Sequence, residues 1–357
     1  MRIALITAQD PFTDTAGAER TLTRWLEYLS NQGWDVDVIT YGPPTQGNQA
    51  DPPYNVMRLD DKAPLGTIVD YLQTDPPDVV LTQGGWSDIA LWASDEYDVP
   101  CILCVMSNFE LQITSGLAAD AEPTHIIAVS DEFRARAKGV YKWTPATTIY
   151  QPIDFEYYSI TGQERACYTM INPVETKGGK VFRELARQRP EDSFLAKMGW
   201  SHQRTDDNSF NRDIYDIFSQ SLDFYLLPPD EPDLDTVKNI EYVQEGDIRE
   251  IYRRTKVLLV PSQWEESFGR VVIEAMHNGI PVVASKVGGL PEACDGAAIL
   301  VEEYDSVDAW SAALDKLGDD EVYEEYVARG QKRAEQYRNK MDAQLETFAE
   351  VVTSAAN

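Results

Sequence analysis

Histidine and cysteine are scarce in this chain. Its 357 residues include three histidines and four cysteines. His125, His202 and His277 lie far apart in sequence and suggest neither a Ser-His-Asp constellation nor a histidine-based metal site. Cys101 and Cys104 form a C-x-x-C inside PCILCVM, which reads as a buried strand. An odd spacing on a strand sends the two thiols to opposite faces, and no second pair follows. Core packing in a reduced, cytoplasmic compartment is the expectation, with no metal and no bound cofactor. Long apolar runs are also missing. Val257–Val260 and Val271–Ile273 are far too short to span a bilayer, and MRIALIT lacks the features of a signal peptide. No basic amphipathic helix supports peripheral membrane contact, which stays open as an alternative. No G-x-G-x-x-G follows a strand, and the spacing around Lys177–Lys180 is not that of a P-loop. The D-x-D triplets at Asp35–Asp37 and Asp233–Asp235 read as a strand start and a Pro-rich loop rather than metal ligands.

Basic residues are outnumbered. There are 31 Lys and Arg against 60 Asp and Glu, a net charge of −29, spread over both halves. Such a field repels phosphate backbones, so nucleic acid is not an expected partner. A carboxylate-dense surface suits a high-salt cytoplasm.

What remains is a rhythm of strand, loop and helix. Arg2–Thr7 reads as a first strand. Leu22, Trp25, Leu26 and Leu29 mark an amphipathic helix over 18–31. Further short strands are expected at 36–40, 78–82, 101–105, 126–129 and 147–150. A polar linker at Gln151–Arg165 precedes a second series at 167–171, 193–198, 239–243, 257–260, 281–284 and 297–301. Residues 204–211 and 228–235 read as loops. Met341, Leu345, Phe348 and Val352 share one face of the last helix. This alternation implies α/β architecture: two doubly wound, Rossmann-like domains facing a cleft. The division expected is 1–160 for the first, 161–339 for the second, and a C-terminal helix at 340–357 returning to the first.

The chemistry concentrates in Val257–Glu292, VLLVPSQWEESFGRVVIEAMHNGIPVVASKVGGLPE. A buried strand runs into a loop, and a helix starts near Phe268–Gly269. Free amides and the positive dipole end make that start an anion site. Glu266 precedes the helix and Glu274 lies within it. Two carboxylates flanking a phosphate site are placed to accept hydrogen bonds from hydroxyls. Gly288–Gly289 forms another tight turn before Pro291, at the start of a short helix.

With its E-x7-E from Glu266 to Glu274, this stretch resembles the donor half of glycosyltransferase family 4, the retaining enzymes of GT-B architecture. The resemblance implies that Glu274 holds the donor ribose and Glu266 contacts the donor sugar. The backbone of Ser267, Phe268, Gly269 and Arg270 would line sugar and diphosphate. T-A-G-A-E-R at Thr15–Arg20 is similar to the family's G-G-A-E-R loop and would bring Gly17 to the phosphate. N-P-V-E-T-K-G-G at Asn172–Gly179 resembles the segment that supplies a phosphate-binding lysine, here Lys177. Two departures stand out. Ile171, followed by Asn172, occupies the place of a common arginine. Met106-Ser107-Asn108 stands where many members carry a histidine near the reacting centre, which leaves Ser107 and Asn108 on the acceptor side. Phe12, Trp86, Trp92 and Phe109 are candidate acceptor aromatics, with core packing as the competing role.

The resemblance implies a metal-independent, retaining transfer from a nucleoside-diphosphate sugar, UDP- or GDP-linked, to a sugar-containing acceptor. Lys177 and Glu266 are the expected catalytic residues. A non-catalytic sugar-nucleotide-binding partner subunit, or a GT-B-like epimerase or hydrolase, are the alternatives. The charge excess generates a prediction of its own. The thermal unfolding midpoint should rise between low and molar potassium chloride; an unchanged midpoint would count against the high-salt reading.

Overall fold

The computed structural model describes residues 1–8, 10–12, 17–41, 54–59, 64–107, 110–199, 237–244 and 246–357. Two parallel sheets organise them. The first has seven strands: β1 Arg2–Thr7, β2 Asp35–Tyr41, β3 Asn55–Leu59, β4 Val79–Gln83, β5 Cys101–Val105, β6 His125–Ala128 and β7 Ala146–Thr148, in spatial order 3-2-1-4-5-6-7. The second has six: β8 Cys167–Ile171, β9 Ser193–Lys197, β10 Ile240–Val243, β11 Thr255–Val260, β12 Val282–Ser285 and β13 Ile299–Val301, in order 10-9-8-11-12-13. Strand order reverses between β1 and β4, and again between β8 and β11. Crevices at the carboxyl ends of such reversals are where doubly wound folds bind ligands.

Most of the expected strands form within two residues of the predicted ends. Edge strand β3 was missed. Its five residues, NVMRL, are exposed or half-buried, so it lacks the apolar run of a central strand. The connection read as a loose linker is instead well packed. Ile153, Phe155 and Tyr158 are buried, and Phe155–Tyr158 forms a helical turn capped by the Asp154 side chain. The loops expected at 204–211 and 228–235 lie outside the described residues, as does Asp233–Asp235.

Burial on both faces explains the strand composition. β5 is buried throughout: Cys104 joins the apolar cluster on one face and Cys101 that on the other. All four thiols are free and buried. Asp37 of the first D-x-D is held by Arg2, by the Tyr71 hydroxyl at 2.7 Å and by Asn55 at 3.1 Å. Among the described residues no helix is long and apolar enough to cross a membrane.

One apolar cluster runs through both sheets. Helix α1 (Gly17–Asn31) presents Leu22, Trp25, Leu26 and Leu29 to β1 and β2. The C-terminal helix α7 (Met341–Ala355) returns from the second sheet to α1, where Phe348 stacks on Trp25 at 4.6 Å and 21°. Both rings are fully buried. Phe348→Ala should therefore cost about 3–5 kcal/mol in denaturant unfolding. A loss below about 1 kcal/mol would show that α7 contributes little to the first sheet's stability.

Candidate active site

Three loops converge on the reversal between β8 and β11. After β8 the chain passes Asn172 and reaches Lys177, and then Gly178, which adopts a left-handed conformation (φ 91°) ahead of helix α3 (Gly179–Gln188). A Cβ at Gly178 would collide with the Pro261 carbonyl, so this loop and the one after β11 touch through backbone. The loop after β11 carries Ser262, Trp264 and Glu266 into helix α4 (Arg270–His277). The third loop, Val287–Gly289, lies against it: the Gly289 amide donates to the Glu266 carbonyl at 2.7 Å.

The approach of these loops brings Lys177 and Glu266 together. Lys177 Nζ donates to both Glu266 oxygens, at 2.7 and 2.9 Å, and sits 5.0 Å from the centre of the Trp264 ring. The Ser262 hydroxyl donates to Glu266 Oε1 at 2.6 Å. Burial by itself would push the Glu266 pKa up. The Lys177 charge and hydrogen bonds, then Ser262 and Trp264, outweigh it and hold the carboxyl below its ordinary range. Beside the pair, α4 begins at Gly269 with no side-chain cap, so the positive end of its dipole lies a few residues from Glu266. Phe268 is fully buried against Tyr150 and Tyr337 and anchors that turn.

Glu274 lies one turn into α4 and is buried. Tyr252 donates to its Oε2 at 2.7 Å, and Arg270 Nε lies 3.6 Å from Oε1. A carboxylate oxygen has capacity for more than one donor, so Oε1 can still accept a hydroxyl. The expectation for Arg270 concerned its backbone. Its side chain does something further: Nη1 donates to Thr21 Oγ1 of α1 at 3.3 Å, and its Cδ lies against Gly17. Arg270 thus places the Gly17 end of the first unit beside the E-x7-E segment of the second.

The remaining expected residues divide. Asn172 has φ 58°, and its amide donates to the Lys197 carbonyl at 2.7 Å; a Cβ at Gly199 would strike its side chain. Ser107 follows β5, half-buried. Thr15, Ala16, Asn108 and Phe109 lie outside the described residues. Trp86 is buried, Phe12 packs on Tyr54 at 5.2 Å, and Trp92 is 39% exposed on its helix. His125 bonds Thr147 and His277 bonds Ser159, both away from the Lys177–Glu266 pair. Among the described residues no group of three or more His, Cys, Asp or Glu could hold a metal ion. Sequence reasoning missed Ser262, Trp264 and Tyr252. Ser262 and Trp264, four and two residues before Glu266, carried a local signal, whereas Tyr252, 22 residues from Glu274, carried none.

A pH dependence follows. A carboxyl with a depressed folded-state pKa stabilises the fold above its unfolded value, near pH 4.3, and loses that contribution as pH falls through the folded value. Glu266→Gln should therefore be less stable than wild type at pH 7, by about 1–3 kcal/mol. The two unfolding midpoints should draw together as pH falls below that unfolded value. A constant difference from pH 7 to pH 3 would refute the charge pairing.

Two family models match this chain. "Glycosyltransferase Family 4" matches residues 15–157, and "Glycosyl transferases group 1" matches residues 233–337. A D-inositol 3-phosphate glycosyltransferase of Corynebacterium kroppenstedtii is 43% identical over 77 residues, which is 21% of this chain and 17% of that protein. The chain thus aligns with well under a third of the length of such curated relatives. Whole-chain likeness comes from solved structures. Sucrose-phosphate synthase from Thermosynechococcus elongatus superposes with a TM-score of 0.75 at 18% identity, covering 99% of this chain and 98% of its own. Anabaena HepE in complex with UDP-glucose also gives 0.75, at 15% identity, covering 99% and 100%. Those identities speak for the fold alone. Taken with the two family models and the paired parallel sheets, they lead to one conclusion: the chain belongs to glycosyltransferase family 4 and has its GT-B architecture of two Rossmann-like domains.

Proposed function

We propose that this protein is a cytoplasmic, metal-independent, retaining glycosyltransferase. It moves a hexosyl group from a UDP- or GDP-linked donor to a sugar-containing acceptor: a glycan, a glycolipid or a metabolite. The observation that carries the reading is the Lys177–Glu266 pair beside the uncapped start of α4, at the strand-order reversal of the second sheet. A diphosphate leaving group needs positive charge where negative charge develops. The Lys177 ammonium and the first amides of α4 supply it, and the Gly17 backbone lies close by against Arg270. The 161–339 unit takes the donor. The 1–160 unit, with helix 340–357, takes the acceptor near Ser107 and Asn108.

On this reading Glu266 accepts from the donor sugar hydroxyls while Lys177 turns towards the diphosphate. Glu274 Oε1 accepts from the ribose, with Tyr252 and Arg270 fixing the carboxylate. Asn172 adds a neutral donor where a cation is common. The leaving phosphate oxygen takes the acceptor proton, so no general base is needed. HepE is described in complex with UDP-glucose, which favours a uridine diphosphate sugar here. The acidic surface fits work at high salt.

The departures at Ile171 and at Met106–Asn108 favour a second reading, a non-catalytic sugar-nucleotide-binding partner subunit. One series of measurements separates the two. Calorimetry in high potassium chloride should give saturable binding of one nucleoside diphosphate, weakened by about 1.5–3 kcal/mol in Lys177→Ala and by about 1–3 kcal/mol in Glu274→Ala. Release of nucleoside diphosphate should then require an added acceptor. Release without acceptor marks a hydrolase, binding without release supports the partner subunit, and no binding overturns the donor site.

A further inference from the structure

Glu292 belongs to the second unit, yet its carboxylate ends in the first. It lies in the short helix α5 (Leu290–Cys294), directly after the Gly288–Gly289 turn. Its two oxygens accept the Asp131 amide at 3.0 and 2.9 Å, and Oε2 also takes the Glu132 amide at 3.4 Å. Oε1 accepts the Tyr150 hydroxyl at 2.6 Å. Asp131 opens helix α2 (Asp131–Val140), which follows β6 on the cleft side of the first sheet. The Ser130 side chain takes the Phe133 amide at 3.2 Å. Three amides at the start of α2 are thereby satisfied, two of them by a carboxylate from the other unit.

Both sides of this contact are braced. Arg333 of helix α6 (Asp320–Asn339) donates Nε to the Ala293 carbonyl and Nη2 to the Glu292 carbonyl, each at 2.9 Å, which fixes the end of α5. The Gly289 amide bonds the Glu266 carbonyl, so only two residues separate the inter-unit contact from the backbone that supports Glu266. On the first unit, the Asp131 carboxylate is drawn aside by Thr148 at 2.6 Å and Arg134 at 3.0 Å, which relieves its repulsion of Glu292. The Arg136–Glu265 ion pair runs parallel to the contact, from the same helix α2 to the residue before Glu266.

We propose that Glu292 is a positioning residue, a latch that sets the spacing between the first unit's cleft face and the Lys177–Glu266 pair. It makes no contact with Lys177 or the Glu266 carboxylate and acts through the Gly289–Glu266 backbone bond and the start of α2. The proposal rests on the nucleotide-sugar reading above for its catalytic consequence, because an acceptor held by one unit must meet a donor held by the other. A misplacement of about 1 Å is enough to cost about 100-fold in rate.

The test uses the full chain with Glu292→Ala, Glu292→Gln and Tyr150→Phe. Hydrogen exchange at the amides of Asp131 and Glu132 reads the latch directly. It should speed up by about 10-fold or more in Glu292→Ala and by less in Glu292→Gln, which keeps one acceptor oxygen. Small-angle scattering of Glu292→Ala should show a larger radius of gyration than wild type. Acceptor-dependent turnover should fall about 10-fold or more, while nucleoside diphosphate affinity stays within about threefold, with partial recovery in Glu292→Gln and a milder loss in Tyr150→Phe. Unchanged exchange and scattering would overturn the latch. So would a parallel collapse of affinity and unfolding midpoint in Glu292→Ala and Glu292→Gln alike, the mark of a merely structural residue. If wild type binds no nucleoside diphosphate, the nucleotide-sugar reading fails separately, and exchange and scattering still decide the latch.

Discussion

A buried carboxylate has to be compensated, and Glu266 is where this fold meets that demand. An uncompensated charge at that depth would neutralise itself by a pKa shift or unfold its loop. Lys177, Ser262 and Trp264 prevent this, and they arrive from two loops that touch through Gly178 and Pro261. The loop after β8, the loop after β11 and the Gly288–Gly289 turn therefore cannot move independently. The arrangement that pairs the charge also places an ammonium and a helix start side by side. On the proposed function, stability and anion recognition would share the same atoms, and a diphosphate would compete with Glu266 for Lys177.

The two units are joined by more than their linker. The apolar cluster continues from the first sheet through Ile149, Ile153 and Phe155 into the second, and α7 closes the circuit by stacking Phe348 on Trp25. Polar ties sit nearer the cleft: Arg270 to Thr21, Arg136 to Glu265, and Glu292 to α2. The junction between the units thus has an apolar base and a polar rim. Non-directional packing tolerates small rotations, whereas hydrogen-bonded contacts select one spacing.

Much of the fold was legible because helix and strand periodicities are local. Leu22, Trp25, Leu26 and Leu29 declare α1 without reference to any partner, and the apolar run Val257–Val260 declares β11. β3 was not legible. An edge strand is buried on neither side enough to need an apolar pattern, and NVMRL reads equally well as loop. The linker was misjudged for a related reason. Its polar composition hides Ile153, Phe155 and Tyr158, whose burial depends on α4, α6 and α7 lying over them.

The candidate site divides along the same line. Glu266, Glu274, Lys177 and Gly17 could be singled out because each sits in a short motif tied to a strand end, and spacing along one chain segment is a sequence property. Their partners could not. Tyr252 reaches Glu274 from 22 residues away, Tyr150 reaches Glu292 from 142, and Glu292 caps α2 from 161. By itself the sequence determined two doubly wound units, the strand-end loops that bear the candidate site residues, and the acidic field around them, because these follow from local pattern and composition. Only the tertiary structure decided which carboxylate pairs with Lys177, which one is tied by Tyr252 and Arg270, and which one crosses to the other unit. Those choices depend on distances between segments far apart in the chain, and packing alone sets such distances.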